Sequence, residues 1–159
     1  MAEGQIRQSL SGFYDVVTDD GETVRTRARG NFRNRKITPL VGDRVSFESN
    51  EGKDGYILAI LPRRNQLQRP PVANVDQAIV ATAVKQPDFT TNLLDRQLLA
   101  LEMADIEPVI YFTKTDLLSD SEWAAFETLT TGYRKAGFQV ILTREPFSEA
   151  ALTAVKTVL

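Results

Sequence analysis

No cysteine and no histidine occur among the 159 residues. The first absence excludes a disulfide framework, a thiolate zinc site and a cysteine nucleophile. The second excludes imidazole metal ligands and every catalytic arrangement that needs a histidine base. A run of apolar residues long enough to cross a bilayer is also missing, so no membrane partner is expected. The opening segment MAEGQIRQSL has neither a basic flank nor an apolar stretch, which argues against secretion and for the cytoplasm. The chemistry left to the chain belongs to carboxylates, hydroxyls, lysine, arginine and backbone amides.

What is present is unevenly charged. Residues 1–70 carry 12 Lys and Arg against 9 Asp and Glu, whereas residues 71–159 carry 7 against 12. A basic half joined to an acidic half fits two modules with different partners, and it equally fits two ordinary solvated surfaces.

The basic half reads as short strands separated by turns. Gly12 to Val17 runs into Thr18-Asp19-Asp20-Gly21, whose Asp-Gly is a hairpin signal. Thr23 to Arg29 then alternates, with Val24, Thr26 and Ala28 on one face and Arg25, Arg27 and Arg29 on the other. A period of two describes a strand with one buried face. Arg44 to Glu48 places Val45 and Phe47 inward, and Gly55 to Leu61 is a further strand closed by Pro62. Strands this short and this regularly spaced point to a small closed barrel of the OB type over residues 1–69, because closure removes exposed edges.

A linker rich in proline and arginine, Pro62 to Val72, leads into a different rhythm over residues 70–159. Val75 to Val84, Pro108 to Phe112 and Phe138 to Leu142 are apolar runs too continuous for a one-sided sheet, as expected of strands buried on both faces. Between them fall three helices. The first is Leu93 to Ala104, capped by Asn92, with Leu94, Leu98, Leu101 and Met103 toward the core. The second begins at Ser121 and ends near Gly137, and the third runs from Ser148 to Leu159. Strands alternating with helices predict a parallel α/β sheet with right-handed crossovers.

Ligands of such sheets sit beyond the carboxyl ends of the strands. There, after PVIYF, stand Thr113, Lys114, Thr115 and Asp116. A carboxylate at Asp116 suits guanine, whose N1–H and 2-amino group are adjacent donors that one carboxylate accepts together. Adenine lacks that edge and would leave the carboxylate unpaired, a discrimination of roughly four orders of magnitude. Lys114 suits the flat face of the base, along which its aliphatic stem lies while the ammonium reaches polar groups. Taken alone, the tetrapeptide fits a helix-capping aspartate and a solvated lysine just as well.

Its surroundings favour the first reading. In order along the chain stand GFYDV, RARGNFR, PLVGDRV, PRRNQLQRPPVANVDQ, LLDRQLLALE and FTKTDLL. This series, from about Gly4 to Leu142, resembles the circularly permuted GTPases that depend on the small ribosomal subunit, the RsgA (YjeQ/YloQ) family. The resemblance implies an OB domain, then a GTPase domain whose guanine-recognition motif precedes its phosphate-binding loop, then a C-terminal zinc domain. It implies guanine recognition by Thr113, Lys114 and Asp116, with GTP and GDP as ligands. It implies binding to small-subunit ribosomal RNA and GTP hydrolysis late in subunit maturation. Thr113 departs from the family's usual Asn, and its shorter hydroxyl cannot offer an amide to the base. A second base-binding loop, usually Thr-Ser-Ala, falls at Thr143, Arg144 and Glu145, where Thr143 and the Arg144 backbone are the expected contacts.

No G-x-x-x-x-G-K-[ST] string occurs, so nothing here is expected to cradle phosphates or hold Mg²⁺, and no catalytic residue is assigned. The expectation is an N-terminal fragment, inactive in hydrolysis by itself, with Mg²⁺ and zinc belonging to absent segments. The alternative is an RNA-binding barrel carrying a vestigial nucleotide fold. For the RNA, Arg25, Arg27 and Arg29 with Arg33, Arg35 and Lys36 of the following loop form the candidate contact face. Only Tyr14, Phe32 and Phe47 are aromatic neighbours in this reading, so recognition by backbone and shape is expected rather than base stacking.

Overall fold

The computed structural model describes residues 1–30, 32, 37–50 and 53–158. The expected contacts Arg33, Arg35 and Lys36, and the last residue of the expected third helix, Leu159, lie outside the described residues. The chain divides into two compact units, Met1–Val75 and Asp76–Leu159.

The first unit is a closed barrel of five strands: β1 (Ala2–Leu10), β2 (Phe13–Thr18), β3 (Thr23–Ala28), β4 (Arg44–Asn50) and β5 (Lys53–Ile60). They follow the order β1-β2-β3-β5-β4, with β1 returning to pair with β4. Neighbours are antiparallel except β3 and β5, which run parallel. This is the OB-type barrel anticipated from strand spacing. Ile6, Tyr14, Val16, Val45, Phe47 and Ile57 fill its interior. Thr26 is fully buried among them, and its hydroxyl is satisfied by donating to the Tyr14 carbonyl at 2.9 Å.

Strand β1 had no counterpart in the sequence reading. Its residues are mostly polar, and only Gly4 and Ile6 are buried, so no alternation announces it. Barrel closure decides its conformation: it is held on both edges, by β2 and by β4.

Residues 63–74 form a strap on the barrel. β6 (Gln66–Gln68) and β7 (Pro71–Ala73) pair as a small hairpin. Val72 bridges to Val41, and the Ala73 amide donates to the Val41 carbonyl at 2.9 Å. The Gly42 carbonyl accepts from the side-chain amides of Gln5 (3.1 Å) and Asn74 (3.0 Å). Only glycine fits at position 42: φ is +94°, and a Cβ would stand 1.9 Å from the Ala73 carbonyl oxygen. Arg63 closes the strap, donating Nε and Nη2 to the two oxygens of the buried Asp43, each at 2.7 Å.

The second unit is a parallel sheet of β8 (Gln77–Ala83), β9 (Glu107–Thr113) and β10 (Gln139–Ile141), with β9 central. Helices α1 (Thr91–Glu102), α2 (Asp120–Lys135) and α3 (Glu149–Val158) complete it. Val109, Ile110 and Phe112 of β9 are fully buried, which explains its unbroken apolar run. Phe112 also packs edge-on against Phe89 and Phe126, at 5.6 Å from each ring centroid.

Three helix details differ from expectation. Thr90, not Asn92, is the N-cap of α1, so Asn92 sits inside the first turn. Leu94, Leu98 and Leu101 are buried as expected, but Met103 is the C-cap and is 80% exposed, because the helix ends before its stripe can extend that far. The second helix starts at Asp120, with Ser119 as its cap. Ser119 and Glu122 form a reciprocal capping box, a pairing Ser121 cannot make because Ala124 stands three residues on.

Candidate functional site

Loops from the carboxyl ends of all three parallel strands carry the expected base-reading residues or brace them. Thr113 is the last residue of the central strand β9, and its carbonyl accepts from the Val84 amide at 3.0 Å. The chain then reverses through Lys114, whose φ of 57° is left-handed, into a single 3-10 turn over Thr115–Leu117. This turn presents Asp116 to solvent and buries Thr115.

Three contacts brace the turn. The Thr115 hydroxyl donates to the Thr143 carbonyl at 2.6 Å, tying the two expected base-binding loops together. The Lys114 ammonium donates to the Gln86 carbonyl, beyond the end of β8. Lys85 donates to the Leu117 carbonyl at 3.3 Å and pairs with Glu122 at 2.8 Å. Glu122 in turn accepts from the Ser119 amide (2.8 Å) and hydroxyl (2.7 Å). Lys85 and Glu122 are residues that sequence reasoning missed. The capping-box spacing from Ser119 would have found Glu122; nothing local would have found Lys85.

Three donor groups therefore converge on the Glu122 carboxylate. The Lys85 hydrogen bond, then those from the Ser119 backbone and hydroxyl, hold its pKa down at about 2, against an ordinary 4.5. A depressed carboxylate stabilises the fold fully above the ordinary value, and that contribution is lost as pH falls toward and through about 2. The Glu122 carboxyl carbon should therefore titrate near 2 by NMR, and the midpoint should rise in Lys85→Met. An ordinary glutamate midpoint in the unsubstituted chain would mean that the brace does not form in solution.

Asp116 itself has no hydrogen-bond or ion-pair partner among the described residues, and it caps no helix, since Ser119 does so for α2. The helix-cap alternative is thereby removed. Thr143 contributes the one buried side-chain polar atom that lacks a partner among the described residues, its hydroxyl oxygen. A carboxylate in solvent with no partner among the described residues fits a ligand that offers it donors. The Arg144 side chain is engaged elsewhere, bonded to Asp120 at 2.7 Å and lying over the Trp123 ring at 5.1 Å, which leaves its backbone for any base contact. No cluster of acidic side chains that could hold a metal occurs among the described residues.

On the barrel, β3 carries Arg25 and Arg27 outward, with Arg29 just past its end. Arg27 pairs with Asp54 at 3.2 Å, and Arg29 pairs with Glu48. Arg25 has no carboxylate partner among the described residues, although Asp15 is its cross-strand neighbour. The expected aromatic neighbours lie inward: Tyr14 and Phe47 are core, and Phe32 packs against that core.

A closed barrel followed by a parallel α/β sheet with its candidate base-reading turn after the central strand is the architecture of the circularly permuted GTPases. The fold matches the crystal structure of YloQ, a circularly permuted GTPase, with a TM-score of 0.81 and 40% identity, covering 99% of this chain and 56% of that one. It also matches YjeQ from Thermotoga maritima, with a TM-score of 0.76 and 30% identity, covering 88% of this chain and 50% of that one. Family models for the RsgA N-terminal domain and the RsgA GTPase match residues 3–57 and 60–159. The chain belongs to the RsgA family.

Among its relatives, small ribosomal subunit biogenesis GTPase RsgA 1 of Lactiplantibacillus plantarum is 61% identical over all of this chain, which covers 53% of that protein. The RsgA of Limosilactobacillus reuteri is 59% identical, with 96% of this chain covering 51% of it. The chain thus spans about half the length of the curated relatives it matches.

Proposed function

We propose that this chain is the barrel and base-reading part of a cytoplasmic GTPase of small-ribosomal-subunit biogenesis. In this reading the second unit binds the guanine of GTP or GDP, and the barrel binds small-subunit ribosomal RNA. The observation that carries the nucleotide half is Asp116: a solvent-facing carboxylate with no hydrogen-bond or ion-pair partner among the described residues, on a turn braced by Thr115, Lys114 and Lys85. Bracing matters because a bidentate contact discriminates only when the acceptor is held in place. Thr143 and the Arg144 backbone complete the base site, and Thr113 ends the strand that delivers it. GTP hydrolysis belongs to a longer protein that also supplies a phosphate-binding loop, which would hold Mg²⁺ with the phosphates. Zinc, implied by the family resemblance for a C-terminal domain, has no cysteine or histidine here to bind it.

The experiment is nucleotide binding by this chain, comparing GDP with ADP. Shifts of the Thr115, Asp116 and Thr143 amides in NMR spectra are expected with GDP and not with ADP. Equal response to both would remove the guanine reading.

A further inference from the structure

The outer face of the barrel carries aromatic residues that its closure does not require. Strand register identifies them. Phe13 pairs with Arg27, Arg27 with Tyr56, and Tyr56 with Glu48, one row running across β2, β3, β5 and β4. Residues in one row share a face of the sheet, and Arg27 and Glu48, both outward, place Phe13 and Tyr56 outward with them. The Arg25 and Arg27 guanidiniums lie over the Phe13 ring, 4.4 and 4.2 Å from its centroid, and Arg29 lies 5.9 Å from that of Tyr56. Tyr56 is 41% exposed.

A barrel needs apolar side chains inside, and polar ones suffice on a solvated outer face. Two rings outside, each with arginine over it, call for another reason. The interactions now holding those arginines are weak. Exposed cation–π contacts add little stability, and the Arg27–Asp54 and Arg29–Glu48 pairs lie on the surface, where ion pairs are weak. Phosphates can replace both carboxylates as partners. A guanidinium can also stack through its flat face while its N–H edge bonds a phosphate. An A-form duplex keeps its bases stacked inside, out of reach of rings on a flat face.

We propose that the outer face of β2, β3 and β5 binds an unpaired stretch of RNA. Phe13, Tyr56 and the guanidiniums over them stack its bases, while Arg25, Arg27 and Arg29 take its phosphates. This rests on the RNA-binding reading above and narrows it, from recognition by backbone and shape to recognition of a single-stranded segment.

The test uses the 159-residue chain with two probes, a short unstructured oligouridylate and an RNA duplex of equal length. Phe13→Leu and Tyr56→Leu keep an apolar side chain at partly exposed positions, and unchanged circular dichroism confirms the fold. Each should weaken oligouridylate binding by about tenfold, with little change in duplex binding or in the salt dependence. Arg25→Gln should weaken both probes and flatten the salt dependence by about one phosphate contact. Phe13→Trp should add tryptophan emission to that of Trp123, and oligouridylate should quench the added part while leaving the emission of the unsubstituted chain unchanged, a signal that a merely structural ring would not produce. If Arg25→Gln weakens binding but the leucine variants do not, the stacking proposal fails and the RNA-binding reading survives. If neither probe binds the unsubstituted chain, both fail.

Discussion

Arg63→Met is expected to destabilise the barrel by about 3 kcal/mol. Asp43, its partner, is fully buried and accepts three hydrogen bonds: two from Arg63 and one from the Leu40 amide at 2.8 Å. Methionine preserves most of the stem packing while removing the charge and two of those three bonds, leaving a carboxylate inside with one donor. The Arg63 side chain keeps 22% of its surface exposed, so water can partly rehydrate the site, and the expected loss sits at the low end of the range for broken buried pairs. Arg63 also donates to the Thr38 carbonyl at 2.8 Å and to Gln66 at 2.6 Å, so lysine, with a point charge in place of a fork, should rescue little. Hydrogen exchange of the barrel amides reads the loss without involving the second unit. Adding Asp43→Asn to Arg63→Met should recover part of it, because the remaining group is then neutral. A loss below about 1 kcal/mol for the single variant would place the pair among ordinary solvated surface pairs.

Asp116→Ala is expected to weaken GDP binding by about 1.5–3 kcal/mol, the range for hydrogen bonds to a charged group. The site is built so that this change removes the acceptor alone. Asp116 makes no hydrogen bond or ion pair with other described residues, caps no helix, and stands on a turn anchored through its neighbours. Unfolding of the variant should therefore match that of the parent chain, and Thr115→Val should instead perturb both loops by deleting the 2.6 Å bond to Thr143. Asp116→Asn offers a check of another kind. An amide cannot accept from both guanine donors at once, so selectivity for GDP over ADP should fall even where some affinity remains. Undiminished GDP affinity in Asp116→Ala would make that residue a surface charge and nothing more.

Much of this was legible in the residues, and what was not has identifiable causes. The alternation over Thr23–Arg29 assigned both faces of β3 correctly, because a period of two cannot be satisfied by any other element. Unbroken apolar runs located the three parallel strands for the same kind of reason. Strand β1 escaped because a strand held by two neighbours needs few buried side chains of its own. Phe13 and Tyr14 are adjacent, and which faces the core depends on pairing register with β3, a fact no local pattern contains. The same holds in the nucleotide unit. The motif Thr113 to Asp116 is a local string, but its braces join Lys85 to Glu122 and Thr115 to Thr143 across 37 and 28 positions.

The strap has a practical consequence for taking the protein apart. Much of what stabilises the barrel enters from residues that look, by composition, like dispensable tether: Arg63 against Asp43, Ala73 against Val41, Asn74 against Gly42. A protease or a cloning primer that stops within the proline-rich stretch would leave the strands intact and remove their fastening. Asp43 or the Gly42 carbonyl would lose partners, and the product would be a weakened barrel whose failure in an RNA-binding assay would say nothing about its arginines. Carried through Val75, where the first compact unit ends, the piece keeps every one of those fastenings, and its behaviour then belongs to the outer face of the barrel.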